Sequence, residues 1–191
     1  MTKYISEFQK PSRWKYLREE HFASAVTRHA VDYRIDASII NARHVFVYLQ
    51  RLKSNEIEQN PYIFDTFNIT GADPAVTWLS TSRLEYGDGV FYPEVGYESD
   101  SKIRIFTDLM AYSWKENDYN TGTQVNVHNY ESLYPLIYFN LTYQADSATR
   151  GPKNLLFKYT INQASKVDYQ VHAIVLYEEE VFVDKNKRSF C

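Results

Sequence analysis

The chain is 191 residues long, enough for one domain with its own core, and 44% of its residues are hydrophobic. A formal net charge of −3 gives no electrostatic pull toward nucleic acid, and no run approaches the roughly 20 apolar residues of a membrane span. The one cysteine, Cys191, excludes a disulfide framework or a cysteine-built zinc site within the chain.

Residues 1–30 mix apolar Trp14, Tyr16, Leu17 and Phe22 with basic Lys10, Arg13, Lys15 and Arg18, and Glu19 and Glu20 dilute the charge. There is no continuous apolar stretch, so the segment does not read as a signal peptide. It is expected to be an N-terminal arm or linker, either a short helix or a strap ordered against a partner. Residues 33–40 alternate and are predicted as the first strand, with Asn41-Ala42-Arg43 as a break. Residues 44–50 are apolar on both faces, which predicts a central strand covered on both sides. A charged loop (51–61) leads to a third strand at 62–69, turned by Gly71-Ala72-Asp73-Pro74. A fourth strand returns over 76–86. Gly87-Asp88-Gly89 then supplies the positive φ of a tight hairpin, Val90-Phe91-Tyr92 follows, and Pro93 is expected to stop the strand.

Only residues 101–116 predict a helix. Ile103, Phe106, Met110 and Trp114 form a stripe at helical spacing, Leu109 borders it, and Asp100 is the candidate N-cap. Residues 117–130 read as a long polar loop. Three segments then alternate with period two: 135–143, 155–161 and 169–177. Ile137, Phe139, Leu141 and Tyr143 share one face of the first. Leu155, Phe157, Tyr159 and Ile161 share one face of the second, and Tyr169, Val171, Ala173, Val175 and Tyr177 one face of the third. A last strand is expected at 181–183, with Glu178-Glu179-Glu180 as a solvated turn before it. Eight or nine strands with no βαβ rhythm predict an all-β fold, an antiparallel two-sheet jelly-roll sandwich with one short helical insertion at about 101–116. The expected organisation is an arm at 1–30, the jelly roll at 31–186 and a tail at 187–191.

Residues that carry chemistry are sparse. The histidines at 21, 29, 44, 128 and 172 have no metal-ligand spacing, and the phosphate-binding glycine loop and the Gly-x-Ser-x-Gly elbow are both missing. Terminal Cys191 is a poor nucleophile candidate. No catalytic, cofactor-binding or metal residue is assigned, no cofactor is expected, and the chain does not read as an enzyme. Asn68-Ile69-Thr70 and Asn140-Leu141-Thr142 match the glycosylation sequon but fall on predicted strands.

The order of several short motifs resembles a known family. The motifs are Arg43-His44-Val45-Phe46-Val47-Tyr48-Leu49, then Gln59-Asn60-Pro61-Tyr62-Ile63-Phe64-Asp65-Thr66-Phe67, then Arg83-Leu84-Glu85-Tyr86-Gly87-Asp88-Gly89 with Phe91-Tyr92-Pro93-Glu94. The series closes with Ala173-Ile174-Val175-Leu176-Tyr177-Glu178-Glu179-Glu180 and Val183-Asp184-Lys185. Over about residues 30–186 this is similar to the carboxy-terminal jelly roll of the double jelly-roll major capsid proteins of Polinton (Maverick) elements, adintoviruses and virophages. That family places two jelly rolls in one chain, and 191 residues hold one. The resemblance therefore implies a fragment, a split gene, a host-integrated remnant or the related single jelly-roll penton protein. It implies a structural capsid protein that self-associates as a homotrimer or pentamer and meets other capsid proteins. No specific nucleic acid is implied. Its place would be the virion capsid, after synthesis in the host cytoplasm and assembly there or in the nucleus. Segments 1–30 and 94–131 are the expected carriers of subunit contacts. Two other classes fit less of the pattern. A carbohydrate- or ligand-binding β-sandwich used for attachment needs a concave face with exposed Tyr or Trp, and a cupin-type enzyme needs histidines and carboxylates clustered inside the barrel.

Overall fold

The structure, a computed structural model, describes residues 12–26, 30–51, 79–87, 91–98, 102–116, 126–127, 130, 136–142, 151–161 and 169–183. Eight strands are present among them: β1 (Ser12–Val26), β2 (Ala30–Ile39), β3 (Ala42–Arg51), β4 (Leu79–Tyr86), β5 (Phe91–Glu98), β6 (Ile137–Asn140), β7 (Lys153–Ile161) and β8 (Tyr169–Val183). One helix, α1 (Lys102–Glu116), lies between β5 and β6. The predicted strand at 62–69, its turn at 71–74, the N-cap Asp100, and His29, His128 and Cys191 lie outside the described residues.

Alternation decides which side of each strand is buried. Val45, Val47 and Leu49 of β3, Ile137 and Phe139 of β6, Leu155, Phe157 and Tyr159 of β7, and Val171, Ala173 and Val175 of β8 all point into one cluster with Leu84, Tyr86 and Tyr97. Each fully buried side chain of this size contributes about 1.5–3 kcal/mol from removal of apolar surface from water. The rings interlock as well: Phe139 meets Phe157 edge-on at 5.9 Å and Tyr97 at 5.7 Å.

The pairing is that of one long hairpin wrapped on itself. β1 pairs with β8, β2 with β7, β3 with β6 and β4 with β5, all antiparallel. Two cross pairings, β3 with β8 and β4 with β7, close the strands into sheets ordered β1-β8-β3-β6 and β2-β7-β4-β5. This order is that of an eight-stranded jelly roll, so the expected fold class is what the chain adopts. β3 is interior and buried on both faces, with His44 and Phe46 opposite Val45 and Val47.

Five details depart from the sequence reading. Residues 12–26, expected as an arm or short helix, form the fifteen-residue β1, in unbroken register with β8. The acidic triplet is not a turn: Glu178, Glu179 and Glu180 sit within the continuous β8, opposite Leu17, Tyr16 and Lys15. Pro93 does not stop β5, which runs on to Glu98 because β5 is an edge strand and needs no amide there. On α1, Ile103 is 71% exposed, whereas Ile105, nearly opposite it at 100° per residue, is buried in the core with Met110 close by. β6 is also shorter than predicted, because the Asn140 side-chain oxygen accepts from the amide of Thr142 (2.9 Å) and from its hydroxyl (2.6 Å) and turns the chain.

Candidate functional site

The β1–β8 pair outgrows its sheet. β3 accompanies β8 only as far as the pair Ala42–Tyr177. Beyond it, Ser12 to Leu17 and Glu178 to Val183 continue as a two-stranded ribbon, a form that is marginal in water without a third strand or a covering layer. Cross-strand charge holds it in register. Lys15 Nζ donates to Glu178 Oε1 at 2.6 Å, Arg18 to Glu179 Oε1 at 3.0 Å, and Arg13 reaches Glu180 at 3.8 Å. Tyr16 donates its hydroxyl to Glu179, Tyr177 donates to Glu20 at 2.8 Å, and Arg43 braces Glu178 at 3.3 Å. The Lys15 hydrogen bond holds the Glu178 carboxyl below the usual carboxylate range, and the bond from Tyr16 does the same for Glu179. Burial and the bond to Glu20 push the Tyr177 phenol up to about 12. Exposed ion pairs add little stability individually, so the ladder serves chiefly to fix register. Between its rungs Trp14 (65%), Tyr16, Leu17, Val181 and Phe182 (56%) are exposed, and Ile40 is exposed where β2 turns into β3.

The outward face of the same sheet carries the three described histidines, His21, His44 and His172. His21 Nε2 lies 3.0 Å from His172 Nδ1 with the rings parallel, and Tyr48 stacks on the other side of His172 at 4.8 Å. His172 Nε2 is buried without a hydrogen-bond partner. Burial, with His21 alongside, lowers the pKa of His172. His44 Nδ1 shares a hydrogen bond of 2.8 Å with the Tyr138 hydroxyl, and Tyr112 of α1 covers both rings and Phe46. Two of the histidines thus meet across the β1–β8 seam and a third pairs with a tyrosine. Among the described residues no three of His, Cys, Asp and Glu converge as a metal ion would require.

Segment 94–131, expected as a contact-bearing excursion, divides in two. Tyr97, Ile105, Met110 and Tyr130 are buried and hold the sandwich together. Tyr97 donates to Asp108 at 2.7 Å, and Tyr130 to the Leu136 carbonyl at 2.6 Å. Residues 117–125 lie outside the described residues. A cleft of about 430 Å³ opens between β5, α1 and β6, lined by His44, Tyr97, Asp108, Tyr112 and Tyr138. A second cleft, of about 750 Å³, is lined mainly by polar side chains of the other sheet, Asp32, Arg83, Glu98 and Lys158 among them. The Asn140 sequon is engaged in its own turn, and Asn68 lies outside the described residues.

The sequence reading missed β1 and with it the ribbon. The signal was present: Arg13-Trp14-Lys15-Tyr16 alternates charge with aromatic rings, and the last strand carries the matching acidic run. The chain matches no protein-family model, and no curated protein matches its sequence.

Proposed function

We propose that the chain is a structural capsid protein, a jelly-roll block that self-assembles into capsomers of an icosahedral shell. The observation that carries this reading is the strand order, β1-β8-β3-β6 facing β2-β7-β4-β5, in a chain whose short motifs follow the order seen in Polinton, adintovirus and virophage capsid proteins. A jelly roll also serves lectins and cupins, so the fold alone does not select the role. Two features favour a mechanical one. The outward histidines stack on rings and on each other rather than around an open position, and five large exposed apolar residues, Trp14, Tyr16, Leu17, Val181 and Phe182, gather at one end of one sheet.

In this reading the partners are further copies, as a trimer or pentamer, together with other capsid proteins. The site of action is the virion, after synthesis in the host cell. Closed rotational symmetry lets one modest patch be used several times, so each contact can be weak. Negative-stain imaging of the purified chain tests the proposal: rings, capsomers or shells are expected. The exposure of Trp14 and Tyr16 supports a second reading, an attachment module that stacks sugars. Monomeric particles that bind a glycan, with binding lost in Trp14→Ala, would favour that reading instead.

A further inference from the structure

Among the described residues the two sheets present four edge strands, and three of them are blunted. β6 has four residues and α1 packs against it. β5 carries Pro93 and a register shift opposite Ser82–Leu84. β2 has register shifts at Arg34–Asp36 and Asp36–Ile39. Such short lengths, prolines and bulges are the devices by which sheets refuse further strands. β1 has none of them. It is fifteen residues long, contains no proline, keeps unbroken register with β8 and, among the described residues, has a strand neighbour on one side only. Its cations would ordinarily deter an approaching strand, but Arg13, Lys15 and Arg18 are already matched by Glu180, Glu178 and Glu179 of β8.

We infer that the open edge of β1 is a strand-addition surface for a second copy of this chain, pairing antiparallel about Leu17. The charge pattern selects that occupant. About an axis at Leu17, Arg13 and Lys15 lie on one side and Arg18, Glu19 and Glu20 on the other, so an antiparallel copy brings Lys15 of each chain against Glu19 of the other. Centred on Leu17, the pairing puts Lys15 opposite Glu19 of the second copy, Tyr16 opposite Arg18 and Leu17 opposite itself. Glu19 is exposed and, among the described residues, has no ion partner in its own chain. Tyr16 and Leu17 are exposed at the same place. The added strand supplies the third member that the two-stranded ribbon lacks, and main-chain hydrogen bonds give the contact its affinity.

Strand pairing of this kind is isologous and twofold. It rests on the capsid reading: rotational contacts build one capsomer, and the β1 edge joins it to the next. The test uses the full chain as wild type and in three variants, with native mass measured by light scattering. In Leu17→Cys with Cys191→Ser, the two introduced thiols face each other across the twofold, at the separation that opposed antiparallel residues and disulfides share. Cross-linking to dimer is expected at least about tenfold faster than for Val95→Cys with Cys191→Ser, an exposed control on β5, because pairing raises the local thiol concentration. Leu17→Lys, a change at an exposed position whose folding is checked by circular dichroism, is expected to reduce native mass to a single closed capsomer. An assembled wild type whose Leu17→Cys variant cross-links no faster than the control, and whose Leu17→Lys variant keeps its mass, overturns the β1 contact and leaves the capsid reading standing. A wild type that is monomeric at every concentration overturns both.

Discussion

Tyr97 ties three elements together, since its hydroxyl donates to Asp108 of α1 and lies 3.2 Å from the Tyr138 carbonyl of β6. Burial, and then the bond to Asp108, push its pKa well above the ordinary phenol value, so it stays a neutral donor. Tyr97→Phe strands the Asp108 carboxylate and is expected to cost about 1–3 kcal/mol in urea unfolding. Asp108→Asn keeps an acceptor for the hydroxyl and is expected to cost less. His172 makes a different demand. Its folded pKa lies below the ordinary histidine value of about 6.5, so the unfolded chain takes up a proton first on acidification. The stability that neutral His172 contributes is complete above about pH 6.5 and is lost as pH falls from there through the folded pKa. Thermal melts between pH 8 and pH 5 are expected to show this decline, and His172→Phe is expected to flatten it. An unchanged slope in that variant would place the titration elsewhere.

At the scale of elements, the ribbon is the part most sensitive to charge. Glu178 and Glu179 have folded pKa values below the unfolded carboxylate, so their contribution is present above about pH 4.5 and is lost as pH falls through the folded values. Amide exchange in residues 12–17, corrected for intrinsic rate, is expected to accelerate in that acid window before exchange in β7 does. Glu178→Gln is expected to raise exchange already at neutral pH and to flatten the acid acceleration. The turn between β2 and β3 depends on backbone instead: Asn41 has a φ of +57°. Asn41→Gly is expected to be tolerated, and Asn41→Val to cost about 1–2 kcal/mol. What the sequence revealed follows from the same physics. β6, β7 and the first part of β8 were legible because Ile137 and Phe139, then Leu155, Phe157 and Tyr159, then Val171, Ala173 and Val175 alternate into the core. β1 was not, because seven consecutive residues, 13–19, are exposed, and its partner strand lies some 150 positions away. The helix was placed well, and Phe106, Leu109 and Met110 of its stripe turn inward as expected, but Ile103 faces out and Ile105 is buried instead. Asp108 and Tyr112, outside that stripe, meet Tyr97, His44 and Tyr138.

For the whole molecule, cohesion comes from the layer between the sheets. Phe157 is fully buried between Phe139 and Tyr159, and Phe157→Ala is expected to cost about 3–5 kcal/mol, read as a lowered denaturant midpoint. That layer makes the sandwich rigid, and in the proposed assembly the charge and exposed rings at the β1–β8 end are the contact that forms and releases. The capsid account therefore turns on association. Native mass by light scattering across a wide range of protein concentration is the most direct measurement. A discrete trimer or pentamer, growing into larger closed species as concentration rises, is what the account predicts. A clean monomer throughout would contradict it.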